Sequence, residues 1–383
     1  MTSVIKVAMS QRICPEYRIP VFKEISKNPE IDFTLYFGDG TTTGSNKNAE
    51  VIKGFKHCKL FTISKMFNYN GEKYRAFHPM LPFHIIIGNY DVVITEPGTN
   101  IFNNLFIFPL CKIFGIKFIW YTAGNPSSLS LLKKIMMPIT KIMMNYSDAC
   151  ITYNSVADSD LLKAGVPQFK IFRAQNTIDS TSIKEKAEEF HETVTDFKKE
   201  LKINNSKVVL YIGGIEKRKK IINIIKSVGL LNIKGLDVKV LIVGDGPYLE
   251  ILKNQLSDVE SDFTLFVGRK VDDAALYILA SDIVVLPGEG GLAINHAFAC
   301  GRPCIATEAA EGAAVYDYII DGYNGYVVPQ DDIVSLSGKL ENVLFNDDLK
   351  KQLFYGANAT GKKLTIKNMV NSILKAVMYA YKN

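Results

Sequence analysis

Three groups of residues in this chain have types and spacings suited to chemistry. Gly288, Gly290 and Gly291 form a tight turn with one acid, Glu289, inside it. Behind the turn lies Asp282 to Leu286, an apolar run that reads as a buried parallel strand. Ahead of it, Leu292 to Cys300 reads as a helix stopped by Gly301, with Pro303 just beyond. A glycine-rich turn at a helix N-terminus gathers free N–H groups and the positive end of the helix dipole, a seat for phosphate that a ligand can approach closely. The same pattern also serves as an ordinary turn of an α/β protein. The second group, Gly213 to Lys220, joins Gly213 and Gly214 to Lys217, Arg218, Lys219 and Lys220. Backbone donors beside mobile cations suit an anion, and four basic residues at a helix start are unfavourable without one; the alternative is a solvated basic surface. The third is His296, one turn into the helix, where an imidazole is either a ligand contact or a satisfied structural group. Gly244 and Gly246 punctuate one more strand end, and Arg269 follows another.

The elements that must position these groups alternate strand and helix at the spacing of βαβ units, which predicts parallel sheets covered on both faces. Strands are expected at 5–9, 33–37, 59–63, 91–95, 117–121, 149–153 and 169–172, then at 208–212, 238–243, 263–267, 283–286, 304–307 and 326–328. Helices are expected at 102–114, 131–146, 156–164, 221–231, 248–256 and 272–279. Residues 66–82 read as irregular, 181–201 as one charged helix and natural linker, and the tail from Ile333 as helical.

A chain of 383 residues is long enough for two domains. Apolar content of 47% and charged content of 22% are ordinary for a globular protein. A net charge of +6 is too mild to argue for nucleic acid but suits anionic substrates or a membrane surface. The six cysteines form no CxxC pair, so reduced buried thiols and a cytoplasmic protein are expected. The most apolar window, 101–121, is broken by Pro109, Lys112, Gly115 and Lys117 and falls short of a spanning helix. His57, His78, His84 and His191 show no ligand spacing, and Asp272 and Asp273 begin a helix, so no metal is expected.

The run Pro-x-x-x-Gly-Leu-x-x-x-His-Ala-x-Ala-x-Gly-x-Pro from Pro287 resembles the nucleotide-sugar site of the retaining glycosyltransferases of the GT-B fold, family 4. The resemblance implies an α/β, GT-B chain: two Rossmann-like domains with parallel sheets facing across a cleft. It implies an N-terminal acceptor-side domain, 1–180, and a C-terminal nucleotide-sugar-binding domain, 181–365. A final helix, 366–383, crosses back to the first domain. Asn176 to Asp179 resembles the Asn-x-x-Asp that ends the first domain in this family. Aligned on Ala297 to Gly301, the family's second acid is His296 here and its first falls on Gly288, with Glu289 one place late. Gly213 to Lys220 resembles Gly-Arg-Leu-x-x-x-Lys-Gly, which makes Lys219 the lysine on the donor's diphosphate. The family's arginine falls on Gly214, and Arg218 is the nearest replacement for its charge.

Lys219, Arg218 and Glu289 are therefore the expected catalytic residues, the acid accepting hydrogen bonds from the donor's sugar. Gly213, Gly214, Gly244, Gly246, Arg269, Gly290, Gly291, Leu292 and His296 are the expected donor-binding set, with His296 on the ribose. On the acceptor side, Tyr17 and Arg18 lie in a stretch that looks like the (P)YR-x-P-x-F of a subfamily. Gly124 and Asn125 end a strand where many members carry a histidine and this chain has Thr122 or Ala123. The implied activity is metal-independent, hexosyltransferase-type sugar transfer from a nucleotide diphosphate sugar to a glycan or lipid-linked glycan in polysaccharide or surface-glycan synthesis. No further cofactor is implied. Rivals are a non-catalytic homologue that binds nucleotide sugars or glycans as a partner subunit, and an epimerase of the same fold. Lys133 to Met144, lysines among Ile and Met, reads either as a docking face for an anionic membrane or as core. The expected location is cytoplasmic, on the inner face of the membrane if that face docks.

Overall fold

A computed structural model describes residues 4–39, 47–63, 77–124, 131–270, 272–289, 292–308 and 315–383, with the side chains of 97–100 and 131–134 outside the description. The chain forms two compact units: Met1–Asn176 together with Ile366–Asn383, and Thr177–Thr365.

The first unit is a seven-stranded sheet. Its strands are β1 (Ile5–Ser10), β2 (Ile31–Phe37), β3 (Lys56–Lys59), β4 (Val92–Thr95), β5 (Lys117–Thr122), β6 (Ala149–Thr152) and β7 (Ile171–Arg173). The spatial order is β3-β2-β1-β4-β5-β6-β7, every pairing is parallel, and the order reverses between β1 and β4. Right-handed crossovers send the connections on the two sides of that reversal to opposite faces. One face is covered by α1 (Ile19–Ser26). The other carries α2 (Leu81–Gly88), α3 (Pro97–Ile113), α4 (Leu131–Asn145) and α5 (Ser155–Ala164). Val92 and Ile94 of β4 point into the first layer and Val93 into the second. A strand buried on both sides needs such an unbroken apolar run.

The second unit opens with α6 (Ser180–Phe190) and α7 (Val194–Glu200), so the expected single charged helix breaks at His191. Its six strands are β8 (Lys207–Ile212), β9 (Val238–Val243), β10 (Thr264–Gly268), β11 (Ile283–Leu286), β12 (Cys304–Thr307) and β13 (Gly325–Val328), in the order β10-β9-β8-β11-β12-β13 and again all parallel. Helices α8 (Ile222–Ile233), α9 (Leu249–Asn254), α10 (Asp258–Asp262), α11 (Ala274–Ala280), α12 (Ala293–Ala299), α13 (Ile333–Phe345) and α14 (Asp347–Gly361) complete it. The reversal falls between β8 and β11. The loops that leave these two strands therefore flank the point where ligands bind in such sheets.

The last helix, α15 (Ile366–Lys382), belongs to the first unit. It buries Met369, Val370, Ile373, Ala376, Val377 and Ala380, one helical stripe, in the layer that α1 covers. Thr177 and Ser180 hydroxyls both donate to the Leu364 carbonyl, at 3.1 and 2.7 Å, so the two chain passages between the units are tied side by side. All six cysteines are free. Burial pushes the thiols of Cys14, Cys111, Cys150 and Cys300 up to about 12.

Three elements differ from the sequence-based expectation. The third strand lies at Lys56–Lys59 and not at 59–63. It is an edge strand of mostly exposed residues, so no apolar run marks it. Residues 81–88 form a helix where none was expected, because Leu-Pro-Phe-His-Ile-Ile-Ile-Gly is apolar nearly all round and has no helical period to read. Helix α3 starts at Pro97, five residues early, with proline in its first position, and runs through Pro109.

Candidate active site

The second unit's switch point is built from three loops packed main chain against main chain. Gly213 N–H donates to the Val243 carbonyl at 3.0 Å, Ile215 N–H to the Asp245 carbonyl at 2.9 Å, and Gly244 N–H to the Gly268 carbonyl at 2.9 Å. A Cβ on Gly244 would lie 1.9 Å from the Gly213 carbonyl oxygen, and one on Gly246 2.3 Å from that of Ile215. These two glycines thus let the loops after β8 and β9 close on each other. The side of each glycine on which a Cβ would stand faces a neighbouring loop. Tyr211, buried at the end of β8, donates its hydroxyl to the Gly214 carbonyl at 2.7 Å and pins the loop from below. Gly213 and Gly214 themselves are exposed.

From there the chain makes a single 3-10 turn, Lys217 to Lys219, and this turn meets the loop after β11. Glu289 N–H donates to the Arg218 carbonyl at 3.3 Å. A Cβ on Gly288 would sit 2.4 Å from the Arg218 carbonyl oxygen and 2.6 Å from the Lys219 carbonyl carbon. That contact gives a physical reason for the displaced acid: position 288 has no room for any side chain, and the first carboxylate available is Glu289.

Lys219 Nζ donates to the Glu289 main-chain carbonyl at 2.7 Å. Its pKa is lowered, first by desolvation and then by Arg218, against the pull of Glu216 and Glu289. Arg218 is tied on two sides, to Glu216 at 2.7 Å and to Glu289 at 2.5 Å. Both bonds raise its pKa. The sequence assigns Arg218 the task of supplying positive charge to a ligand. In the structure its guanidinium already faces two carboxylates, and it fixes the Glu289 turn to the 3-10 turn. Lys220 leaves the cluster: in a left-handed conformation it pairs with Asp331. Of the four basic residues, Lys219 is thus the one half-buried against the glycine turn.

Leu292 caps α12, which is seven residues long, shorter at each end than expected. His296 lies in its middle, partly exposed at the surface; its main chain bonds Leu292 and Cys300. Burial pushes its imidazole down to about 4, so the ring is neutral near neutral pH. Arg269 is exposed just past β10. Gly290, Gly291 and Asn125 lie outside the described residues.

At the first unit's switch point, Tyr17 and Arg18 part company. Tyr17 is 46% exposed and Arg18 only 6%. The Arg18 guanidinium lies 4.8 Å from the centre of the Tyr153 ring and donates to the Met369 sulfur at 3.8 Å. Burial alone would lower its pKa, yet Tyr153, Tyr121, Tyr17 and Glu96 together raise it. Arg18 is therefore a buried strut at this switch point, and Tyr17 is the exposed one of the pair. A Cβ on Gly124, whose φ is +88°, would lie 3.3 Å from the Ala157 backbone, so this residue is shaped by the start of α5.

Sequence reading missed Glu96. Its Oε1 accepts from Gln11 Nε2 at 3.2 Å and from the Tyr153 hydroxyl. Gln11, Glu96 and Tyr153 directly follow β1, β4 and β6, so the carboxylate sits at the ligand-facing edge of the sheet. The signal was a lone acid directly behind a buried strand; its partners are 57 and 85 residues distant in sequence.

Residues 193–360 match the family model Glycosyl transferases group 1. The chain is similar, at 28% identity over 172 residues, to N-acetyl-alpha-D-glucosaminyl L-malate synthase of Bacillus anthracis, a match that spans 43% of each chain and so less than half of that relative's length. It is similar at 24% identity over 355 residues, 85% of this chain and 83% of the relative, to the capsular polysaccharide biosynthesis glycosyltransferase CapM of Staphylococcus aureus. Among solved structures, Anabaena HepE in complex with UDP superposes with a TM-score of 0.75 at 13% identity, covering 98% of this chain and 99% of that one. The chain has the GT-B fold, and its second unit is related in sequence to the glycosyl transferases group 1.

Proposed function

We propose that the protein is a retaining glycosyltransferase that moves a sugar from a nucleotide diphosphate sugar to a glycan or lipid-linked glycan. The family match and the relatives' names support glycosyl transfer. The observation that carries the reading is the meeting of Lys219 with the Glu289 turn, at the reversal of the second sheet.

In this reading the diphosphate lies along the glycine turn, and Lys219 exchanges its bond to the Glu289 carbonyl for one to a phosphate oxygen. A desolvated ammonium gains more from an anion than a solvated one does. Arg218 positions the Glu289 turn, and the remaining oxygen of Glu289 accepts from the donor's sugar hydroxyls. Neutral His296 bonds a ribose hydroxyl. Exposed Arg269 lies beside the base, and Tyr17 and Glu96 serve the acceptor side. The acceptor oxygen bonds to the anomeric carbon on the face from which the diphosphate departs. The carbon–oxygen bond to the diphosphate breaks, and the acceptor's proton passes to the leaving phosphate oxygen. No protein base is required, and the protein contributes position and charge stabilisation.

A panel of uridine, guanosine and thymidine diphosphate sugars, followed by calorimetric binding and by release of nucleoside diphosphate, tests this. One donor should bind, and Lys219→Ala should weaken it about 100-fold, the loss of one charge-assisted contact. Unchanged affinity in Lys219→Ala would overturn the site assignment. A product whose anomeric configuration is inverted would overturn retention.

A further inference from the structure

The donor-side loops leave the carboxyl edge of the second unit's sheet. The opposite, amino edge carries a second group of charges that the catalytic reading does not use. Lys207 begins β8, Asp282 immediately precedes β11, and Arg302 lies two residues before β12, so the three stand at one edge of three neighbouring strands. Two helices add a cation each, Lys198 near the end of α7 and Lys350 near the start of α14. Both oxygens of Asp282 are taken. One accepts from the Val208 N–H at 2.8 Å and the other from the Lys350 ammonium, and the side chain is only 13% exposed. Arg302 is anchored from behind. Its Nε donates to the Ile278 carbonyl at 3.2 Å and its Nη2 to that of Leu279 at 2.6 Å. Its guanidinium carbon lies 4.7 Å from the centre of the Phe354 ring, and the Lys350 ammonium lies 5.8 Å from the same ring, so one aromatic side chain gathers both cations.

The cations outnumber what is there to pair them. Among the described residues, Arg302 Nη1 has no hydrogen-bond partner. The ammonium of Lys198 has neither a hydrogen bond nor an ion pair there, although its side chain is partly buried. Of the charges that act most strongly on Lys198, one is the carboxylate Asp282 and three are the cations Lys350, Arg302 and Lys207. Desolvation first, and then those three, lower its pKa, so a cation is held where a cation is disfavoured. Charges withdrawn from water are retained where an opposite charge completes them. Here the missing partner is an anion, and it has to meet donors from a helix end and from two strand starts at once. A phosphate group carries enough acceptor oxygens for three such donors, and enough charge to offset the excess. We propose that the amino edge of the second sheet binds a phosphate group, as the free ion or a monoester, between Lys198, Lys207 and Arg302, beside the Lys350–Asp282 pair. Bound there, it ties α7 to the strand edge and removes the repulsion among the cations. No residue of the diphosphate site takes part, so this site is independent of the catalytic reading.

The test is calorimetric titration with inorganic phosphate and with glycerol 3-phosphate, in chloride buffer of fixed ionic strength. The full chain carries Lys219→Ala, so that the donor-side cation does not contribute. Binding is expected, and adding Lys198→Gln should weaken it about tenfold, the loss of one charge-assisted contact. Binding of phosphate alone assigns the site to the free ion, and binding of both assigns it to phosphate monoesters as well. Binding of neither, or equal affinity with and without Lys198→Gln, overturns the proposal. Thermal melts of the parent and of Lys198→Gln separate an anion site from a merely structural lysine. Without phosphate the variant should melt no lower than the parent, because it relieves repulsion. In about 10 mM phosphate the order should reverse, the parent gaining about 2 °C or more over the variant. A variant that melts lower in both buffers by the same amount would make Lys198 a packing residue and would also overturn the proposal.

Discussion

At the scale of single residues, two groups of the candidate site are set by how far each is removed from water. Burial lowers both Lys219 and His296, and it fixes the forms in which both would meet a donor: a cation short of solvation and a neutral ring. For His296 the sign of the stability effect follows. The unfolded chain takes up a proton near the ordinary value of 6.5, whereas the folded chain does so only near 4. Between those values the unfolded state binds more protons, so stability is full above about 6.5 and is lost as pH falls toward 4. The loss is bounded by about 3.5 kcal/mol, since each pH step of one between those two values is worth roughly 1.4 kcal/mol. His296→Gln keeps a neutral hydrogen-bonding side chain and removes the titration. Urea midpoints of parent and variant should run parallel above pH 7 and diverge between 6.5 and 4, the parent falling faster. Curves that stay parallel throughout would show an ordinary, hydrated imidazole.

At the scale of elements, the site is a matter of loops that touch through their main chains. The order of strands and the glycines could be read from the sequence because apolar runs and chain punctuation are local. Lys219 was legible too, since its spacing from Gly213 carries the family pattern. The reasons for the glycines were not. Gly244 and Gly246 are small because of Gly213 and Ile215, about 30 residues earlier, and Gly288 because of Arg218 and Lys219, about 70 residues earlier. No local periodicity encodes such crossings, nor the clasp of Tyr211 on Gly214, nor the bond from Tyr153 to Glu96. The same absence of pattern hid α2 and misplaced β3. Gly288→Ala puts a methyl into backbone atoms that cannot turn aside, and should cost about 1–3 kcal/mol and most of the nucleotide-sugar affinity. Gly338→Ala, in the middle of α13 with open space around it, should be neutral or stabilising by up to about 1 kcal/mol. Chemical denaturation of the pair checks the contrast; equal effects would mean that the close approach at Gly288 is not tight.

At the scale of the whole molecule, the first unit depends on a helix that follows the whole of the second. Its sheet is roofed on one face by α1 and by α15, whose Ala376 is fully buried. Ala376→Glu should destabilise the first unit by about 3 kcal/mol or more, the cost of forcing a carboxylate into an apolar layer. The chain's single tryptophan makes this measurable, because Trp120 lies in the first unit's core and its fluorescence follows that unit alone. The Trp120 transition should move to lower denaturant while the second unit's contribution to far-UV circular dichroism melts as before. An unmoved Trp120 transition would mean that α15 contributes little there. The same arrangement has a consequence for biosynthesis. The second unit is one uninterrupted stretch, 177–365, and needs no residue from the rest of the chain to close. The first emerges earlier yet stays roofless, its β-layer of Val92, Ile94, Ile119 and Ile151 open on that side, until α15 has cleared the exit tunnel behind the second unit. Of the two halves, the one made first is the one finished last, and it is there that a nascent chain has most need of a chaperone.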